Sequence, residues 1–371
     1  MCKVRLAEIK IIIKMKIVHI TYMLTFGGIE TMLVNIANEQ VKAGHEVEVI
    51  IVERGLIDSR LSQMLDPSIK LHMANRKKDT KDLLAVARIN WFLLRANPDA
   101  IHIHASGLMR CIVLPGHRRI TCSTLHDLPF DKNTVAIRTV PRVFAISEAV
   151  RKALKENYGV ESKAIPNGIH PERIRVRTSG AKHDVFRIVM VSRLQHEKKG
   201  QDILIDALAE LKQKGYHHIV VDLIGDGASR AFLEERCKTK GVVNEVRFLG
   251  TRPQEYVFEH FRDYDLFVQP SRHEGFALTV AEAMAARVPV LVASGQGPEE
   301  VIDYGRCGYV FQNGDVQECA DRIEQIIRNG EDVNKTDKAY ERVWKLYNVS
   351  VTASTYLKNY LWKNDGERVC I

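Results

Sequence analysis

The chain has 371 residues, 45% of them hydrophobic and 27% charged, and carries a formal net charge of +8. That length exceeds one ordinary core and calls for two domains, while the composition is that of a soluble globular protein and excludes disordered and fibrous classes. The positive balance implies anionic partners without choosing among nucleic acid, lipid headgroups and nucleotides; seven scattered cysteines with no Cys-x-x-Cys pair indicate a reducing compartment and argue against a disulfide frame or zinc site.

Ile9 to Ile20 is apolar but broken by Lys10, Lys14 and Lys16, far short of the ~20 apolar residues that span a bilayer. No small-residue cleavage site follows it, so a signal peptide is not expected. Met15 to Ile20 makes a natural first strand, which leaves residues 1–14 as an upstream extension. Lys16–Thr21 is predicted as a strand, Gly27-Gly28 as a tight loop, and Glu30–Ala43 as a helix ending at Gly44. Strand His45–Val52, helix Lys81–Ala96 and strand Ala100–His104 follow, then a short helix from Leu108 and strand Arg119–Leu125. Val143–Ile146 reads as a buried strand and Ser147 as the cap of helix Glu148–Tyr158. Strand–helix alternation of this kind implies a parallel sheet with right-handed crossovers.

Residues 171–184 are polar and basic and read as a linker between a first domain, 15–170, and a second, 185–345. The second repeats the grammar: strand Phe186–Val191, helix Ile203–Lys214, strand His218–Ile224, helix Ala228–Thr239, strand Val246–Leu249. Strand Leu266–Val268 stops at Pro270; Glu274-Gly275-Phe276 is a turn and Ala277–Ala286 a helix. Strand Pro289–Ala293 and a short helix from Pro298 complete the domain. A last segment, residues 346–371, contains an amphipathic helix over Asn348–Lys363. The fold class is α/β, two doubly wound domains facing a cleft.

The most informative stretch is Ser271 to Met284. Strand, glycine-containing turn and helix N-terminus aim backbone N–H groups and a positive dipole end at an anion. Glu274 and Glu282 flank that turn with seven residues between them. A diphosphate with hydroxyls to be held, as in a sugar nucleotide, fits such a site. Arg193 follows the second domain's first strand, and Lys198-Lys199 lies just beyond it. At the carboxyl edge of a parallel sheet, where ligands bind, a guanidinium fork and an ammonium can straddle a diphosphate. The competing reading of the lysine pair is a solvated loop; the acids beside it make the set specific.

Gly27-Gly28 lacks the G-x-G-x-x-G pattern of a dinucleotide site and serves either close backbone approach to a ligand or an ordinary turn. His126, just past a strand, could hydrogen-bond a transferring sugar or be a structural histidine. His102 and His104 share one strand face, but no third ligand is spaced for a metal, so core or cleft lining is expected. Asp263-Tyr264-Asp265 mimics a metal-binding Asp-x-Asp; directly before an apolar strand it reads as a helix-to-strand connection, and no metal is expected.

These motifs resemble the retaining glycosyltransferases of family 4, which have the GT-B fold. The matching stretches are Gly-Gly-Ile-Glu30, Ala-Gly-His-Glu-Val47, Thr-Leu-His-Asp127, Ala-Ile-Ser-Glu148, Pro-Asn-Gly-Ile169, Val-Ser-Arg-Leu194 with Lys-Lys-Gly200, Gly-Asp-Gly227, and Pro-Ser-Arg-His-Glu-Gly-Phe276 through Glu282-Ala-Met284. The resemblance implies that Arg193 and Lys199, with Lys198 as runner-up, bind the donor diphosphate. Glu274 would hold the transferring sugar and Glu282 the ribose, while the N–H groups of Phe276, Ala277 and Leu278 meet phosphate. His126 would line the sugar pocket and Gly28 contact donor or acceptor from the other domain. It further implies metal-independent retention of configuration without a cofactor, and a last helix that crosses back to the first domain. The donor is expected to be UDP-linked, the acceptor a saccharide or lipid-linked molecule in surface polysaccharide synthesis, and nucleic acid is not expected as a partner. Location is expected to be cytoplasmic, with peripheral docking on anionic lipid at the inner face of the plasma membrane. Rival readings are a sugar-nucleotide epimerase, a phosphorylase, for which no pyridoxal-lysine context is found, and a silent nucleotide-sugar-binding protein. Two departures stand out: Ala277 replaces a common glycine, and Arg287 sits where positive φ is often required.

Overall fold

A computed structural model describes residues 14–25, 27–77, 80, 82–127, 132–178 and 184–360. The expectation for residues 1–14 thus lies almost wholly outside the described residues, as do the middle of the 171–184 segment and everything after Tyr360.

The first sheet contains β1 (Lys16–Thr21), β2 (Glu46–Glu53), β3 (Lys70–Arg76), β4 (Ala100–Ile103), β5 (Thr121–Leu125), β6 (Arg142–Ala145) and β7 (Lys163–Ala164). Its order is β3-β2-β1-β4-β5-β6-β7, and every pairing is parallel. The second contains β8 (Phe186–Val191), β9 (Ile219–Ile224), β10 (Val246–Gly250), β11 (Leu266–Gln269), β12 (Val290–Ala293) and β13 (Tyr309–Phe311). Its order is β10-β9-β8-β11-β12-β13, again all parallel. Both are doubly wound: chain direction across the sheet reverses between β1 and β4, and between β8 and β11. Crevices open at the carboxyl ends of strands at such reversals. Helices cover both faces, so the central strands are buried on both sides rather than alternating; β2, for example, has only Glu46 exposed.

Several local expectations need correction. Instead of one short helix from Leu108, a 3-10 segment Ser106–Cys111 precedes a helix Pro115–Arg119. That helix consumes the residues that would have begun the next strand, which therefore starts at Thr121. Lys198 and Lys199 belong to a single helical turn, His196–Lys199, rather than a loop. Gly200 ends it at φ 70, where a Cβ would lie 2.0 Å from the Pro270 carbonyl oxygen. Elements not anticipated include β3, β13 and the helices Val316–Asn329 and Val333–Arg342.

The helix Val349–Tyr360 packs on the first domain, where Tyr356 and Tyr360 are fully buried with Met32, Ile36 and Phe144. Its entry is fixed by backbone bonds from Ile169 to the Tyr347 carbonyl (2.7 Å) and from Val349 to the Ile169 carbonyl (2.8 Å). Only glycine fits at 168, because a Cβ would sit 2.4 Å from the Val349 Cα.

Candidate active site between the two sheets

A cleft of about 540 Å³ separates the carboxyl edges of the sheets, within the usual size of small-molecule sites. From the first domain it receives Gly28, at the start of helix Gly28–Lys42 after β1, and His126, immediately after β5. From the second it receives Arg193 after β8, Lys198 and Lys199 from the following turn, and Glu274, Phe276, Ala277 and Leu278 after β11. Of the ten sequence-predicted residues, nine therefore line one space. Glu282 is not among the lining residues: it lies within helix Leu278–Ala285, 7% exposed.

Backbone packing holds these groups in place. Gly225 and Gly227 press against the strand end that carries Arg193: added Cβ atoms would come within 2.0 Å of the Ser192 carbonyl and 2.4 Å of the Leu194 carbonyl. The Lys198 carbonyl accepts from the N–H groups of Arg272 (2.9 Å) and His273 (3.2 Å). Arg272 itself forks onto Asp202 with two bonds of 2.8 Å. The lysine turn is thus fastened to the segment bearing Glu274, and the Lys199 ammonium bonds the Glu274 carboxylate directly. Lys198 reaches across the cleft to Asp127, 2.5 Å away. Arg193 is exposed and makes no ion pair among the described residues; Glu30, opposite, feels its charge.

The turn after Glu274 is similarly fixed. Gly297 donates to the Glu274 carbonyl (3.0 Å), and Gln296 accepts from the Glu274 N–H (3.1 Å). Ala277 adopts φ 67, a left-handed conformation disfavoured by any Cβ, and no side chain caps helix Leu278–Ala285. Its first N–H groups stay available to an anion, reinforced by the helix dipole. Arg287 likewise has positive φ, 57, held by an ion pair to Asp337 and by stacking over Tyr340.

Burial lowers His126 to about 4, against the opposing pull of Asp127, so the ring is neutral. Burial raises Glu282 from 4.5 to about 7, with Gln254 and Arg173 acting the other way. Glu30 is also pushed above the ordinary carboxylate range by burial.

Sequence reasoning missed Glu30, Asn167, Gln195 and Gln269 as cleft residues. Asn167 lies in Pro-Asn-Gly-Ile169, already singled out, and was the one recoverable from that motif. The buried Asn167 Oδ1 and Gln269 Oε1 lack hydrogen-bond partners among the described residues, as expected of groups that wait for a ligand or water. His102 and His104 are core residues rather than cleft lining. A third histidine, His19 of β1, lies beside them, which linear spacing could not show. The Asp263-Tyr264-Asp265 segment connects a 3-10 turn, Phe261–Asp263, to β11, and Asp265 accepts from the Arg187 N–H at 2.8 Å.

Comparison with known proteins gives two matches in tandem: Glycosyltransferase Family 4 over residues 26–173 and Glycosyl transferases group 1 over residues 173–343. An amylovoran biosynthesis glycosyltransferase of Erwinia amylovora is 31% identical over 172 residues, 45% of this chain and 42% of that protein. A 2-deoxystreptamine N-acetyl-D-glucosaminyltransferase of Niallia circulans is 24% identical over 285 residues, 65% of this chain and 71% of that protein. The match thus spans less than half of the first relative and over two thirds of the second. Among solved structures, Anabaena HepE in complex with UDP and glucose superposes with a TM-score of 0.77 at 23% identity, covering 93% of this chain and 99% of that one. A sucrose-phosphate synthase of Thermosynechococcus elongatus gives 0.79 at 17%, covering 94% and 98%. These likenesses show the fold: it is GT-B.

Proposed function

The chain belongs to the group 1, family 4 glycosyltransferases, and we propose that it transfers a sugar, with retention and without a metal, from a UDP-linked donor to a saccharide or lipid-linked acceptor in surface polysaccharide synthesis. The observation that carries this reading is the convergence of Arg193, Lys199 and Glu274 on one cleft with the uncapped end of helix Leu278–Ala285. Breaking the anomeric bond leaves about two negative charges on the departing diphosphate. Arg193, Lys199 and the helix N–H groups are fixed donors aimed where that charge develops, the arrangement that lowers a barrier most. Glu274 holds hydroxyls of the transferring sugar, drawing the Lys199 ammonium between sugar and phosphate. The leaving phosphate deprotonates the acceptor on the same face, so configuration is kept. Glu282, assigned to the ribose by the family resemblance, lies buried behind the turn and outside the cleft's lining, so its part in donor binding would be to hold the turn that meets the ribose.

No helix among the described residues is long and apolar enough to cross a membrane. Peripheral docking is supported by helix Leu83–Ala96, which exposes Leu83, Leu84, Trp91 and Leu94. In the groove beside it, Lys16, Lys70 and Arg95 outnumber the one acid, Glu48. Apolar side chains rimmed by cations suit an anionic lipid surface.

A thermal-shift panel of nucleotides and nucleotide sugars tests the donor, because a ligand of the native state raises the melting temperature. UDP and UDP-sugars should shift it in wild type and much less in Arg193→Ala. Equal indifference to every nucleoside diphosphate would end the proposal, and activity lost to EDTA and restored by magnesium would refute its metal-free part. Retention of the protein in the supernatant with anionic vesicles at low salt would refute the docking.

A further inference from the structure

Behind His126 an unbroken line of polar side chains runs through the first domain's core. Its Nε2 lies 3.4 Å from His104 Nδ1, and His104 Nε2 lies 3.0 Å from His19 Nδ1. His19 Nε2 is 2.8 Å from Gln40 Oε1, and Gln40 Nε2 donates to the Tyr360 hydroxyl at 2.9 Å. Tyr360 in turn meets His102 Nδ1 at 2.9 Å, and His102 Nε2 meets Thr124 Oγ1 at 2.7 Å. Three strands or their ends (β1, β4 and β5), helix Gly28–Lys42 and the last helix each supply a link.

A neutral imidazole has one donor and one acceptor nitrogen, while an amide side chain has a fixed acceptor end and a fixed donor end. With Gln40 Oε1 facing His19, His19 must carry its proton on Nε2 and accept at Nδ1. His104 then donates from Nε2 and accepts at Nδ1, and His126 must donate from Nε2. On the other side the Gln40 amide N–H leaves the Tyr360 hydroxyl proton to His102. One amide orientation thus sets every ring in the same tautomer. Burial keeps the rings neutral: His19 falls to about 4, and His102 and His104 lie well below the ordinary range.

We propose that Gln40, His19 and His104 are positioning residues which, anchored by Tyr360, fix His126 as the Nε2–H tautomer and so leave its Nδ1 as a hydrogen-bond acceptor for a substrate hydroxyl. The role of Nδ1 rests on the glycosyl-transfer reading; the tautomer does not. It also assigns the last helix a part in the chemistry, although that helix is not among the cleft's lining elements. A metal bound by His19, His102 and His104, whose ring nitrogens lie within 4.8 Å of one another, is disfavoured. Each of those nitrogens named above already has a partner, and the line contains no carboxylate to offset a dication.

The test is two-bond proton–nitrogen NMR on protein carrying labelled histidine, with His126 assigned from the signal lost in His126→Asn. The wild type should show His126 as Nε2–H. Gln40→Leu and, should that variant fold poorly, Tyr360→Phe should give a mixture of tautomers. Both should lower kcat about five- to tenfold with the donor KM little changed, a split that mere loosening of the cleft would not give. His126 found as Nδ1–H in the wild type, or unmoved in both variants, overturns the proposal, as does a zinc titration that shifts the three core rings together. UDP binding measured on the same samples separates the outcomes: intact binding with an unmoved tautomer sinks the relay alone, whereas no binding at all sinks the transfer reading.

Discussion

Lys199 and Glu274 form an ion pair although one is assigned to phosphate and the other to sugar. On the proposed roles the ammonium would neutralise the carboxylate until a ligand with both functions separates them. Glu274→Gln should therefore lower kcat by on the order of 10²-fold while donor affinity changes only a few-fold, because its hydroxyl contacts count most as charge develops. Steady-state kinetics with isothermal titration of UDP checks this; equal losses in both quantities would refute the division of roles. Glu282 answers to burial instead. The folded state holds its proton up to pH about 7 whereas an unfolded chain releases it near 4.5. Its contribution is complete below pH 4.5 and is lost as pH rises to 7, by at most about 3 kcal/mol. Glu282→Gln should remove that slope, and melting curves at pH 5 and 7.5 would show it. The charge types and spacing of Arg193, Lys199 and Glu274 made them legible in the sequence. The burial of Glu282 against Gln254 was not, because residue 254 is brought to helix Leu278–Ala285 only by packing.

At the level of elements, the sequence carried the repeating strand–helix order through apolar runs and glycine stops, and Ser147 showed its cap, accepting from the Val150 N–H at 3.2 Å. It failed where the pattern is thin. β3 sits at the sheet edge with only Ala74 buried, so no apolar run marks it, and β13 is three residues long. Helix Val316–Asn329 was legible and overlooked: Asp315 caps it by accepting from the Glu318 N–H, and Cys319, Ala320, Ile323 and Ile326 form one buried stripe. Support for the Glu274 turn was invisible for another reason. Gly297 lies beyond an intervening strand, yet a Cβ there would meet the Gly275 carbonyl oxygen at 2.1 Å. Gly297→Ala must displace that turn and with it Glu274 and the helix N-terminus. A loss of kcat/KM of about 10²-fold is expected for a displacement near 1 Å, with the sheets intact by circular dichroism. Wild-type turnover in this variant would show that the contact does not set the site.

Across the whole molecule, polar links among the described residues join the two domains beside the cleft. Lys198 bonds Asp127, and Glu300 of the second domain accepts from the N–H groups of Glu148 (2.7 Å) and Ala149 (3.4 Å) of the first. The second link is a helix cap supplied from across the interface: it satisfies orphan donors and places a carboxylate at the positive end of helix Glu148–Tyr158. Burial raises the Glu300 carboxyl above its ordinary range, and those two N–H groups act the other way. Glu300→Ala should cost about 1 kcal/mol of stability, the usual worth of a cap. It should also raise the donor KM several-fold with kcat less affected, since the lost contact holds the domains together rather than touching the reacting atoms. A melting curve and a donor titration decide the matter, and small-angle scattering should report a larger radius for the free protein. An unchanged radius with an unchanged KM would mean that closure is held by the apolar contacts around Phe276 and Tyr347, whose rings meet edge to face at 5.4 Å, and not by the cap.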